Sequence, residues 1–139
     1  GRYNSLSFML ENAASYQTHY TPNVLGIYLL FRVLQDMDPI AQVDTRLRKR
    51  METLEQIISQ SAVFQLLVDN PATRSTTVAA IAASDQVISA VKKAAELEGI
   101  QLGGGYGPLK SSSFRVANFP AITDAEFGRM VDFLASYRP

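Results

Sequence analysis

The stretch 103–120 constrains this chain most. It runs from Gly103-Gly104-Gly105-Tyr106-Gly107-Pro108, through Lys110 and three serines, into Phe114-Arg115-Val116 and then Ala117-Asn118-Phe119-Pro120. Glycines and proline make the first half a turn, and the alternation of the second half makes it a short strand. Side chains alternate along a strand, so Arg115 points to the face opposite Phe114 and Val116. A guanidinium on a rigid element beside a mobile loop can grip a carboxylate or phosphate with two parallel hydrogen bonds, if its face lines a pocket. The same spacing is met by an arginine on a solvated sheet face.

Composition narrows the partners. In 139 residues, 13 basic side chains balance 13 acidic ones, which gives no electrostatic case for nucleic acid or an anionic membrane as the main partner. No apolar run approaches a membrane span, and the first residues lack a charged-then-apolar leader pattern. The chain has no cysteine and a single histidine, so disulfides and thiolate chemistry are excluded, and a zinc site has too few ligands. These features fit a cytoplasmic protein.

Segment 1–17, including Tyr3-Asn4-Ser5-Leu6-Ser7-Phe8-Met9-Leu10, has scattered apolar residues without a sustained period. It is expected to pack on something else, as a short strand or helix or beside a missing N-terminal neighbour. His19-Tyr20-Thr21-Pro22-Asn23 follows, with Thr21 as N-cap and Pro22 at the first helical position of a run to Met37. That run is apolar nearly all round, which predicts burial against more than one layer. A helix N-terminus can also receive an anion, here at Thr21, although a plain cap is the commoner explanation of such a residue.

Asp38-Pro39 ends this helix and a second starts near Ile40. Ile40, Val43, Leu47, Met51, Leu54 and Ile58 form one apolar stripe. Arg46, Arg48, Lys49, Arg50, Glu52 and Glu55 read as its solvated side, with Arg48 and Glu52 paired at helical spacing. Extended pieces are predicted near 63–68 and 76–83, separated by turn chemistry at Asp69-Asn70-Pro71. Ser84 caps a third helix, with Val87, Ile88, Val91, Ala94 and Leu97 on its apolar side and Gly99 as its stop. Thr123 and Glu126 make a capping box for the last helix, Ile122 and Phe127 a hydrophobic staple, and Phe127, Met130, Val131, Leu134 and Tyr137 its apolar side. The predicted fold class is α+β, a two-layer small domain with helices on one face of a small, mostly antiparallel sheet.

The order and spacing of His19-Tyr20-Thr21-Pro22-Asn23, Pro71-Ala72-Thr73-Arg74-Ser75, Gly105-Tyr106-Gly107 and Phe114-Arg115-Val116-Ala117-Asn118-Phe119-Pro120 resemble the C-terminal third of class V aminotransferases dependent on pyridoxal 5'-phosphate. The nearest branch is the phosphoserine aminotransferases of serine biosynthesis. The resemblance implies a homodimer acting on an amino acid and a 2-oxo acid, with a large cofactor domain preceding this chain. Residues 1–37 would belong to or contact that domain, and 38–139 would form the small C-terminal domain.

Carried over by the resemblance, Thr21 hydrogen-bonds the cofactor phosphate of the partner subunit and Arg115 holds the substrate carboxylate. Two departures accompany these. Tyr20 stands where the branch commonly has an asparagine on the cofactor phosphate. A His-Arg pair expected before the carboxylate-binding arginine is absent, so Lys110 with Ser111, Ser112 and Ser113 is the candidate substitute grip on a substrate phosphate. The family's Schiff-base lysine lies upstream of the Thr-Pro motif, and no lysine precedes Thr21 here. The chain alone is therefore expected to be inactive, with no catalytic residue of its own and no cofactor held by itself. The alternatives are a stand-alone α/β ligand-binding or interaction module, and another class V aminotransferase with a different amino-acid substrate.

Overall fold

The computed structural model of the chain describes residues 5–138. Tyr3 and Asn4 of the N-terminal segment lie outside the described residues. The chain divides into two compact units, 1–38 and 39–139.

The first unit contains α1 (Leu6–Ala14) and α2 (Val24–Asp36). The N-cap of α2 is Asn23, not the expected Thr21: the Asn23 side chain accepts from the Gly26 backbone N–H at 2.9 Å. Gly26 makes this possible, because a Cβ there would lie 2.8 Å from Asn23 Nδ2. The expected burial of α2 is also not found. None of its residues is buried, and Leu25, Ile27, Leu30 and Val33 are all more than half exposed.

The second unit opens with α3 (Ile40–Ser59). Its N-cap is Pro39, whose carbonyl accepts from Val43 N–H at 3.2 Å. Val43, Leu47, Met51, Leu54 and Ile58 are buried as the stripe predicts, whereas Ile40, at the helix start, is exposed. Arg48 pairs with Asp44 at 2.8 Å and not with Glu52; the Asp44 hydrogen bond and charge raise its guanidinium pKa above the ordinary value. Arg50 is not solvated. It is 8% exposed, lies over the Phe127 ring at 5.6 Å, and donates to the Ile122 carbonyl at 2.9 Å.

Four short strands follow: β1 (Gln65–Leu66), β2 (Val78–Ala82), β3 (Gly103–Gly104) and β4 (Ser113–Ala117). They form one antiparallel sheet in the order β1-β2-β4-β3. Between β2 and β3 lies α4 (Asp85–Leu97), capped by Ser84. It is closed at Gly99 (φ +71°), with Gly99 N–H donating to the Glu96 carbonyl and Ile100 N–H to the Ala95 carbonyl. After β4 comes α5 (Asp124–Ser136), started by the Thr123–Glu126 capping box.

Period-2 alternation divides the sheet. Ala79, Ile81, Phe114 and Val116 face the helices and join Leu54, Ile58, Ile88, Val91, Phe127 and Leu134 in one core. Val78, Ala80, Ala82, Arg115 and Ala117 alternate with them and take the other face. The fold is thus an α+β small domain, helices on one side of an antiparallel sheet. Gly103 and Gly104, expected as part of a flexible turn, pair instead with Arg115 and Phe114.

Candidate functional site

Arg115 sits at the centre of the sheet face opposite the helices, with Ala80 on β2 and Gly103 on β3 as its register partners. Small neighbours let its long side chain lie across β3. A Cβ on Gly103 would come 3.4 Å from Arg115 Cβ and 3.7 Å from Nε, and none is present to deflect it. Arg115 Nε donates to the Gly104 carbonyl at 2.7 Å, and Cζ stands 4.3 Å from the Tyr106 ring centroid. Arg115 is half-buried, and no described carboxylate pairs with it. Arg115 is thus held by its Nε and one ring face, with both terminal nitrogens uncommitted among the described residues, and two such nitrogens match the spacing of a carboxylate's oxygens.

Tyr106 was not singled out as a site residue by sequence reasoning. The signal was its place between Gly105 and Gly107, where an aromatic ring on a tight turn can fold back over the following strand. The turn is fixed from three sides. Ser113, 1% exposed, donates its hydroxyl to the Leu109 carbonyl at 2.7 Å; Leu109 N–H reaches the Tyr106 carbonyl at 3.0 Å; Gly107 adopts φ +52°. Gly105 is obligatory, since a Cβ there would lie 2.3 Å from Ser113 Oγ and 2.4 Å from the Leu109 oxygen.

Lys110 follows a 3-10 turn (Gly107–Leu109) in the same loop and is exposed, without an ion pair among the described residues. Ser111 and Ser112 stand beside it in sequence, but Ser113, the third hydroxyl of the run, is spent on the Leu109 carbonyl. Thr21 and Tyr20 belong to the first unit. Both are exposed, and Tyr20 stacks edge-on against His19 at 4.8 Å, with His19 in turn 6.0 Å from Phe8. Thr21 lies two residues ahead of the true cap, so its hydroxyl is not used to start α2.

A groove of about 670 Å³ runs between α3 and α5. It is lined by Thr45, Arg46, Lys49, Arg50, Phe127 and Val131 and includes neither Arg115 nor Lys110. Its Arg50 is already committed to Asp124 of α5 and to the Ile122 carbonyl, and the groove lies apart from the residues singled out in the sequence. Among the described residues no group of acidic and histidine side chains could hold a metal ion, and no helix is long and apolar enough to cross a membrane.

No family model matches the sequence, and no curated protein matches it. Solved structures do match. A phosphoserine aminotransferase from Cytophaga hutchinsonii is 28% identical with a TM-score of 0.80, over 96% of this chain and 37% of that one. An aspartate aminotransferase of subgroup IV from Thermus thermophilus shares the fold at 20% identity and TM-score 0.76, over 97% of this chain and 38% of that one. An alanine–glyoxylate aminotransferase from Nostoc sp. shares it at 23% identity and TM-score 0.57, over 66% and 24%. The structural neighbours of this chain are therefore phosphoserine aminotransferase and other class V aminotransferases, matched over nearly all of this chain but only about 37% of the first, as a C-terminal fragment would be.

Proposed function

We propose that this chain is the C-terminal part of a cytoplasmic, homodimeric aminotransferase of the phosphoserine aminotransferase kind, which passes an amino group between an amino acid and a 2-oxo acid. Residues 1–37 belong with the large cofactor domain of the intact enzyme, and 38–139 form its small domain. The observation that carries this reading is Arg115: tied at Nε to the Gly104 carbonyl and stacked on Tyr106, it keeps its two terminal nitrogens for a substrate carboxylate. Gripping that carboxylate at two points orients the α-carbon for proton removal, a positioning contribution to catalysis.

Pyridoxal 5'-phosphate supplies the electron sink for the bond broken at the α-carbon. The groups this chain offers it are the hydroxyls of Thr21 and Tyr20, two exposed residues whose chemistry suits a phosphate oxygen. No lysine precedes Thr21, so the amine that holds the cofactor covalently comes from outside this segment, and the 139 residues alone do not transaminate. Lys110 is the candidate grip on a second anionic group of the substrate. The apolar, exposed surface of α2 supports a missing neighbour, since a surface of that kind is ordinarily covered.

The test uses the longer protein that contains this chain. Arg115→Lys raises KM for both the amino acid and the 2-oxo acid by about tenfold or more, since the bidentate fork is lost. Unchanged KM values for both substrates refute the assignment.

A further inference from the structure

The loop 105–110 has a second role that the anchoring of a carboxylate by Arg115 does not by itself require. We infer that Tyr106 is a positioning residue for Arg115, holding the guanidinium so that an acid can dock only end-on, across the two terminal nitrogens. This rests on the reading of Arg115 as the carboxylate anchor.

Three observations converge. A guanidinium offers a carboxylate two bidentate edges, one formed by Nε with a terminal nitrogen and one by both terminal nitrogens. The first edge is closed, because Nε is spent on the Gly104 carbonyl at 2.7 Å. The Tyr106 ring covers one face at 4.3 Å and resists rotation of the group out of that bond, since a cation is drawn to the centre of an aromatic face. The backbone that carries the ring is itself held in place. Ser113 Oγ pins the Leu109 carbonyl at 2.7 Å, Leu109 N–H pins the Tyr106 carbonyl at 3.0 Å, and Gly105 leaves no space for even a methyl group between the loop and Ser113. Tyr106 is 73% exposed, so the stack is not a by-product of core packing. A large aromatic left in solvent over a cation, on a loop braced to keep it there, sets the orientation of that cation.

The experiment uses the 139-residue chain, labelled with ¹⁵N-arginine and observed by NMR, with pyruvate titrated as a short 2-oxo acid. In the wild-type chain the Arg115 Nε–H signal is displaced by the aromatic ring current, and pyruvate perturbs it in a saturable way. Tyr106→Phe keeps both features. Tyr106→Ala loses the ring-current displacement and binds pyruvate about three- to fivefold more weakly. Arg115→Lys weakens binding about tenfold or more, since the bidentate fork is lost.

An affinity in Tyr106→Ala equal to wild type overturns the inference while leaving the anchor intact. A Tyr106→Phe variant as weak as Tyr106→Ala also overturns it, because the role would then belong to the hydroxyl and not to the ring. If pyruvate perturbs Arg115 in neither wild type nor variants, the anchor reading fails, and the inference fails with it.

Discussion

Arg50 on α3 donates from Nε to the Asp124 carboxylate at 2.6 Å, joining the middle of one helix to the first residue of another. The two partners differ in what they lose when cut: the Arg50 side chain is 8% exposed and that of Asp124 is 74% exposed. Arg50→Ala strands the Ile122 carbonyl and uncovers Phe127, and is expected to lower unfolding stability by about 2 kcal/mol in urea titration. Asp124→Asn removes a charge already in water and costs less than about 1 kcal/mol. Equal losses from the two variants would contradict this asymmetry.

Asn118 closes β4 from inside the protein. It is fully buried, and its Nδ2 donates to the Leu47 carbonyl and to the Thr76 carbonyl, each at 2.8 Å, so one amide ties α3 to the residues leading into β2. Its Oδ1 is buried with no hydrogen-bond partner among the described residues, so the two donated bonds are what keep the residue there. Asn118→Ala is expected to cost about 2–3 kcal/mol. Asn118→Asp costs about 3 kcal/mol or more at neutral pH, because a carboxylate then faces two carbonyl oxygens. Thermal denaturation of both variants checks the order.

Two glycines respond oppositely to an added methyl group. Gly105→Ala drives a Cβ into Ser113 Oγ and the Leu109 carbonyl, so it opens the loop and removes the Tyr106 ring from Arg115. Its loss of stability is expected to be about 1–3 kcal/mol, with loss of the ring-current signature. Gly128, inside α5, has nothing within 4 Å of its ideal Cβ. Gly128→Ala should stabilise by about 0.5–1 kcal/mol, since it lowers the backbone entropy of the unfolded chain. Chemical denaturation of the two variants reads opposite signs.

Glu126 gives the fold an acid-sensitive corner. Its carboxylate accepts the Thr123 backbone N–H at 2.8 Å and the Thr123 hydroxyl at 2.7 Å, and these bonds hold its pKa below the ordinary glutamate value. The native state therefore binds the proton less readily than the unfolded chain. The contribution is present above the ordinary value, about 4.3, and is lost as pH falls through the lower folded value. Glu126→Gln keeps an acceptor for the Thr123 N–H but has no such titration. Its melting temperature is expected to fall less than that of the wild type between neutral pH and pH 3.

Local signals were legible and distant partners were not. The Thr123–Glu126 box, the Ser84 cap, the Gly99 stop and the stripe Val43-Leu47-Met51-Leu54-Ile58 each lie within a few turns of chain, and each was readable from spacing alone. Arg115 was likewise placed on the face away from Phe114 and Val116, because strand alternation is a local rule. Arg50 looked solvated because Asp124 stands 74 positions away. The α2 cap was misplaced by two residues for a similar reason: Thr21 and Asn23 are both good caps, and the choice turns on the space left by Gly26. Gly103 and Gly104 were read as a turn because pairing with β4 supplies the extended conformation that their own propensity does not. Tyr106 was read only as part of the Gly105-Tyr106-Gly107 motif, because its meeting with Arg115 requires the loop to be folded back by Ser113.

Around Arg115 the sheet is floored with Ala80, Ala82, Ala117 and Gly103, side chains of one carbon or none. Such a floor is bare apart from Arg115 itself, with the Tyr106 ring standing over one face of the guanidinium. Under the function proposed above, it would catch the acid end of a metabolite without reading the remainder, and the power to tell one acid from another would be lodged in loops or in a different stretch of polypeptide. Capture and discrimination are thereby separable, and the second can be rewritten without disturbing the first.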